Sequence, residues 1–112
     1  MSDCIFCSII NKKLNAEIIY EDRDLIVIKD IKPVAKYHYL FIPTAHYATL
    51  AEMTVFNAST LGLIMKKIPE IVDSLGITEG YRLVINQGGD AGQTVPHFHI
   101  HLLAGQKMDF KV

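Results

Sequence analysis

Five residues near the C-terminal end, His97-Phe98-His99-Ile100-His101, alternate imidazole with apolar side chains. In an extended strand every second side chain shares a face, about 6.6 Å further on, so three imidazoles form a row while Phe98, Ile100 and Leu102 face the other way. Burying the apolar face sets the register, because a slip of one residue would bury the imidazoles instead. Such a row suits metal ligation or chemistry on an extended anionic group. Near neutral pH an imidazole is nucleophile, proton carrier and hydrogen-bond donor, with an ordinary pKa of about 6.5. Surface histidines on a solvated sheet face are the bland alternative; strict alternation of three, directly after the glycine-rich segment 88–94, argues against it.

Cys4 and Cys7 form a Cys-x-x-Cys pair, a spacing that lets two thiolates grip one tetrahedral zinc if two further ligands are found. Two reduced thiols without metal are the alternative. A thioredoxin-type redox pair is disfavoured, because the pair does not follow a strand in a βαβ unit. His38 and His46 complete the five histidines.

The elements that must position these groups follow from periodicity. Ile5, Phe6, Ile9 and Ile10 recur at helical spacing, which predicts a short helix over 5–12 capped by Ser2 or Asp3. Residues 17–21 and 25–29 read as a hairpin around Asp22-Arg23-Asp24, and 39–42 as a third strand closed by Pro43. Over 54–75 the apolar positions Leu61, Ile64, Ile68, Ile71, Val72 and Leu75 keep the helical period. Gly76 is the expected stop, and Pro69 marks a kink or a change of helix. Residues 81–86 and 97–103 complete five strands. Strands that come mostly as neighbouring pairs, plus one long and one short helix, predict an α+β domain with an antiparallel sheet.

With 112 residues, the chain is expected to form a single domain over 1–112. Half the residues are hydrophobic, 21% are charged and the net charge is -1, which argues against disorder and against a partner held by long-range charge such as nucleic acid. No apolar run reaches membrane-spanning length, and Met1-Ser2-Asp3-Cys4 lacks the basic start of a signal peptide, so a cytoplasmic protein without membrane contact is expected.

Residues 97–103 match His-φ-His-φ-His-φ-φ, and in this the chain resembles the histidine triad superfamily of nucleotidyl hydrolases and transferases. The resemblance extends to Ile5-Phe6, Ile9, Tyr20-Glu21-Asp22, Asp30-Ile31, Pro33, the run from His38 to Pro43, Gly80-Tyr81-Arg82, Asn86 and Gly92-Gln93-Thr94. This set is similar to the Hint branch, whose members are homodimers that join two five-stranded sheets into a ten-stranded one. The resemblance implies that His99 attacks the α-phosphorus of a nucleoside phosphate derivative to form a nucleotidyl-histidine. It places His101 beside the phosphate as a donor and His38 in the proton-transfer network around it. Gly92, Gln93 and Thr94 would bring backbone N–H groups and a hydroxyl to the phosphate. Asp30 would accept from the ribose hydroxyls, although a turn cap is an equal reading of it. Ile5, Phe6, Ile9, Ile28 and Leu40 would wall the base, although each is by default simply core; Ile31 would also contact the nucleotide, and Asn86 would lie near the leaving group.

With His38, His99 and His101 so assigned, His46 and His97 remain, and zinc-bearing relatives use the matching positions. The expectation is a structural zinc on Cys4, Cys7, His46 and His97, closed to substrate, with no cofactor needed for the chemistry. Ala104-Gly105-Gln106 departs from the Gly-Gly-Arg common in Hint proteins, and Phe110 stands where an indole is frequent. The expected activity is cleavage of the P–N bond of purine nucleoside phosphoramidates, with aminoacyl adenylates as further candidates. A dinucleoside polyphosphate hydrolase of the Fhit type and a non-catalytic nucleotide- or metal-binding module are the rivals.

Overall fold

The computed structural model describes residues 4–112, so the expected cap at Ser2 or Asp3 lies outside the described residues. Strands β1 (Ile18–Glu21), β2 (Leu25–Lys29), β3 (Tyr37–Pro43), β4 (Tyr81–Val84) and β5 (Ile100–Ala104) form one antiparallel sheet in the order β1-β2-β3-β5-β4. The expected α+β class is realised, with α1 (Ile5–Ile10) and the long α2 (Val55–Ser74) packed on opposite faces.

Alternation along the central strands divides the core in two. Leu25, Val27, Tyr39, Phe41, Ile100 and Leu102 meet Ile64, Ile68, Ile71 and Val72 of α2. Ile26, Ile28, Leu40 and Ile42 meet Cys4, Phe6 and Ile9 of α1. Leu25–Ile28 of β2 and Tyr39–Ile42 of β3 are therefore unbroken apolar runs, as strands covered on both faces must be.

Each end of α2 is built by its local sequence. Thr54 and Asn57 exchange side-chain-to-backbone hydrogen bonds of 3.0 Å in a capping box. At the other end Gly76 takes φ 75°, its N–H reaches the Asp73 carbonyl at 3.0 Å, and Ile77 N–H reaches Val72 at 3.2 Å, a Schellman closure. Pro69 does not end the helix, so the expected change from one helix to another does not occur. Its missing N–H removes the ladder partner of Met65, and both residues lie on the exposed side, where water can serve that carbonyl.

Asp22 does more than turn a hairpin. Its Oδ1 accepts the N–H groups of Asp24 (2.8 Å) and Leu25 (3.0 Å), while Oδ2 accepts from the Tyr20 hydroxyl (2.7 Å) and the Lys67 ammonium (2.6 Å). Burial alone would raise this carboxyl; the donors, Lys67 foremost, hold it down at about 2. One carboxylate thereby ties the β1–β2 turn to α2.

Several boundaries differ from expectation. α1 stops at Ile10 and is capped by Cys4, whose Sγ accepts the Cys7 N–H. β3 starts at Tyr37, two residues early, and β4 ends at Val84, two residues short of Asn86. The largest correction falls on the histidine segment, where β5 begins at Ile100, so His97 and His99 precede the strand. Pro43 has no N–H to extend the ladder beyond Ile42, and Phe98 N–H goes instead to the Tyr47 carbonyl at 2.7 Å. The facing still alternates. Phe98 is fully buried in the α2 core, and the rings of His97 and His99 turn to the α1 side.

Candidate functional site

The chain from His97 to His101 runs past Phe6 of α1 and joins β3 at Phe41 and Leu40, and its imidazoles divide into two groups. His97 meets His46 with ring centroids 4.8 Å apart, while His99, His101 and His38 follow as a run at 5.0 and 5.2 Å. The row that alternation gives is thus two adjoining clusters, divided between His97 and His99 as the resemblance implied.

In the first cluster the Nδ1 atom of His97 lies 3.4 Å from Cys4 Sγ, 3.6 Å from Cys7 Sγ and 3.1 Å from His46 Nδ1, and Cys7 Sγ is 3.2 Å from His46 Nδ1. A tetrahedral zinc with ordinary bond lengths separates its S and N ligands by about 3.5 Å and two N ligands by about 3.3 Å. The four donors fit such an ion. His97 Nε2–H donates to the Pro43 carbonyl at 2.8 Å, which leaves the Nδ1 lone pair aimed at the cluster. Burial, first among the causes, also holds the His97 imidazole below its ordinary pKa, in the neutral form a metal requires.

Backbone partners assign the tautomers of the second cluster. His99 Nδ1 stands 2.6 Å from the His97 carbonyl oxygen, so Nδ1 carries the proton and Nε2 keeps its lone pair. Val34 N–H donates to His38 Nδ1 at 3.1 Å, so the neutral His38 carries its proton on Nε2 and donates it to His101 Nδ1 at 2.9 Å. His101 in turn carries Nε2–H. The result is a nitrogen lone pair and an N–H donor on neighbouring rings. Asp30 Oδ2 lies 3.4 Å from His38 Nε2, and its Oδ1 caps its own turn by accepting Lys32 N–H at 2.8 Å. The turn-cap reading of Asp30 is therefore realised on Oδ1, while Oδ2 faces His38. Asp30, His38 and His101 also have the composition of a cation site. Val34 opposes that use, since a metal on His38 Nε2 would require both ring nitrogens to act as acceptors.

Burial, with His99 and His38 alongside, pushes the His101 imidazole down to about 4, and burial against the opposing pull of Asp30 lowers His38. For His101 the sign is definite. Above about pH 6.5 it is neutral folded or unfolded; as pH falls below that, only the unfolded chain takes up the proton, so stability drops between about pH 6.5 and 4 and this contribution then levels off. Urea midpoints between pH 4.5 and 7.5 should fall less steeply with acid in His101→Gln than in wild type. An identical slope would assign the titration elsewhere.

The loop before the triad is tied to itself. Gly92 N–H bonds Gly89 O at 3.0 Å, Gln93 N–H bonds Gly88 O at 3.1 Å, and the Gln93 amide holds Gly88 N–H and the Ala48 carbonyl. The expected backbone donors of Gly92 and Gln93 are thus engaged within the loop, and exposed Thr94 is the member of the three left to offer one. Phe6, Ile9, Ile28 and Leu40 belong to the smaller core, whereas Ile5 and Ile31 are exposed and Asn86 is half-buried past β4. Sequence reasoning missed Val34, because a backbone N–H leaves no mark on residue type. It also missed Gln87, which accepts Leu50 N–H at 2.7 Å, and Gln106, which accepts Lys36 N–H at 2.8 Å. Gly105 beside it is required: at φ 91°, a Cβ would meet the Tyr37 ring at 2.7 Å. A cleft of about 890 Å³ lies between the Gly76–Arg82 segment and the C-terminal tail and is lined by no histidine.

Comparison with known proteins agrees with this architecture. The family model described as the scavenger mRNA decapping enzyme C-terminal binding region matches residues 3–111. Protein HitA of Neisseria gonorrhoeae is 42% identical over 103 residues, covering 92% of this chain and 96% of that protein. A HIT family hydrolase from Clostridium thermocellum superposes with TM-score 0.92 at 46% identity, over 100% of this chain and 98% of that one. A zinc-bound histidine triad family protein from Mycobacterium smegmatis gives 0.80 at 30% identity, over 96% and 78%. An α+β fold with a five-stranded sheet, one long helix and a histidine triad defines the class; the chain belongs to the histidine triad family. No helix among the described residues is long and apolar enough to cross a membrane.

Proposed function

We propose that this protein is a hydrolase of the Hint branch that cleaves the P–N bond of purine nucleoside phosphoramidates, with aminoacyl adenylates as a second substrate class. The observation that carries the reading is the His99 tautomer, with Nδ1 given to the His97 carbonyl at 2.6 Å and the Nε2 lone pair available for attack. His99 Nε2 forms a bond to the α-phosphorus as the P–N bond breaks and the departing amine takes a proton. Water then adds its hydroxyl to phosphorus and gives up its other proton, which replaces the one the amine took, as the N–P bond of His99 breaks, its electron pair returning to Nε2, and nucleoside monophosphate leaves. His101 Nε2–H, held in that tautomer by His38, donates to a non-bridging oxygen where charge develops. Asp30 Oδ2 is the acceptor proposed for the ribose, with Ile5 and Ile31 at the base, Thr94 at the phosphate and Asn86 towards the leaving group.

Zinc on Cys4, Cys7, His46 and His97 is read as structural, because all four positions of a tetrahedral ion are filled by protein. The cytoplasm, where thiol ligands stay reduced, is the compartment that suits it. A homodimer with a continuous ten-stranded sheet is supported by the open outer edges of β1 and β4.

The Gly92-Gln93-Thr94-Val95 stretch favours the Fhit-type reading of a dinucleoside polyphosphate hydrolase. Rates on adenosine phosphoramidate and on diadenosine polyphosphates decide between the two. The proposed activity gives a kcat/KM at least about tenfold higher on the phosphoramidate. The opposite order supports the Fhit reading, and nucleotide binding without turnover of either supports a binding module.

A further inference from the structure

Phe6 stands between the two cysteines in sequence and between the two imidazole clusters in space. Its ring, only 6% exposed, packs edge-to-face against His97 at 5.9 Å and 76° and against His99 at 5.0 Å and 84°. It cannot move independently of Cys4 and Cys7. Cys4 caps α1 through the Cys7 N–H, and Ser8 N–H and Asn11 N–H bond the Cys4 and Cys7 carbonyls at 3.1 and 2.9 Å. The base-wall assignment drawn from resemblance leaves this double contact without a purpose.

We propose that Phe6 is a positioning residue that transmits occupancy of the Cys4/Cys7/His46/His97 site to the orientation of His99. The inference rests on the metal reading above. Drawing the two thiolates onto one ion fixes the first turn of α1, and with it the Phe6 ring against the His99 imidazole. The His99 ring is otherwise held by its Nδ1 bond to the His97 carbonyl and by the edge of His101. That bond permits rocking about its own axis, which a packed aromatic edge opposes. A second path from the metal exists, running through the His97 backbone to the same carbonyl. Substitution at position 6 cuts one path and leaves the other intact.

The test follows the ring ¹H–¹³C signals of His99 during titration with zinc, together with the affinity for adenosine monophosphate at saturating zinc and after chelation. In wild type, zinc shifts the His99 signals and tightens nucleotide binding. In Phe6→Leu, at zinc concentrations that saturate it, both responses shrink by at least about threefold. Phe6→Met serves as the second variant if Phe6→Leu does not fold. A full-sized response in the variants overturns the proposal in favour of the backbone path. Wild type that binds zinc without any change at His99 overturns the coupling and leaves the metal reading standing, whereas wild type that binds no zinc overturns both.

Discussion

His99→Ala folds, binds nucleoside monophosphate and loses turnover of phosphoramidates, with kcat/KM down by on the order of 10⁴ or more, because the reaction loses the atom that carries the covalent intermediate. Truncation costs the fold less. His99 lies outside the β5 ladder, but its buried ring bonds the His97 carbonyl and packs against Phe6 and His101, so the loss of stability is about 2–4 kcal/mol and the fold is kept. Far-UV circular dichroism and urea midpoints check the fold, and release of the amine from adenosine phosphoramidate gives the rate. Acid quenching during turnover should trap a nucleotidyl adduct on wild type, located on His99 by mass spectrometry and absent from the variant. His38→Ala acts one step removed, by freeing His101 to carry its proton on either nitrogen, and should lower the rate less. A rate unchanged in His99→Ala would end the covalent mechanism.

Removing the metal is the second large effect, and it falls on stability. A ligand that binds only the folded state adds about 4 kcal/mol when present at a thousand times its Kd. Chelation, or the double substitution Cys4→Ser/Cys7→Ser, should remove that contribution and lower Tm by on the order of 10–20 °C in a domain of this size. The physical reason is the length of α1. Its six residues cannot hold a helix unaided, and apart from the metal ligands it is held by Phe6, Ile9 and their neighbours against Ile26, Ile28, Leu40 and Ile42. Metal analysis of protein purified without chelator should give one zinc per chain for wild type and none for the double variant. Metal-free wild type would remove the basis for the effect.

Much of this molecule is legible in its residue types. The helical period of Ile64, Ile68, Ile71 and Val72 with Gly76 beyond them marks α2, and two apolar runs flanking Asp22-Arg23-Asp24 mark the first hairpin, since burial and turn chemistry are local demands. The Cys-x-x-Cys spacing offers two ligands of a metal site, with two metal-free thiols as the alternative, and its completion by His46 and His97 came from family resemblance; the four donor atoms lie within 4.8 Å of one another. Less legible were the contributions of backbone atoms and long side chains. Lys67 is one more surface lysine until the fold brings it to Asp22, and Gly92 and Gln93 look like anion-binding donors until their N–H groups are found inside their own loop.

The histidine segment shows the same division. Alternation by itself determined that Phe98, Ile100 and Leu102 face one core and the imidazoles the other side, because every second side chain shares a face whether or not the chain is in a ladder. The resemblance already set His97 apart from His99 and His101; tertiary structure shows the backbone groups that make the three imidazoles differ. Pro43 cannot extend the ladder, so the chain before Ile100 leaves the sheet. The Pro43 carbonyl turns the His97 lone pair towards the cysteines, the His97 carbonyl frees Nε2 of His99, and the Val34 N–H, through His38, leaves His101 a donor. Each role depends on which ring nitrogen holds the proton, and backbone groups that no residue name reveals make that choice.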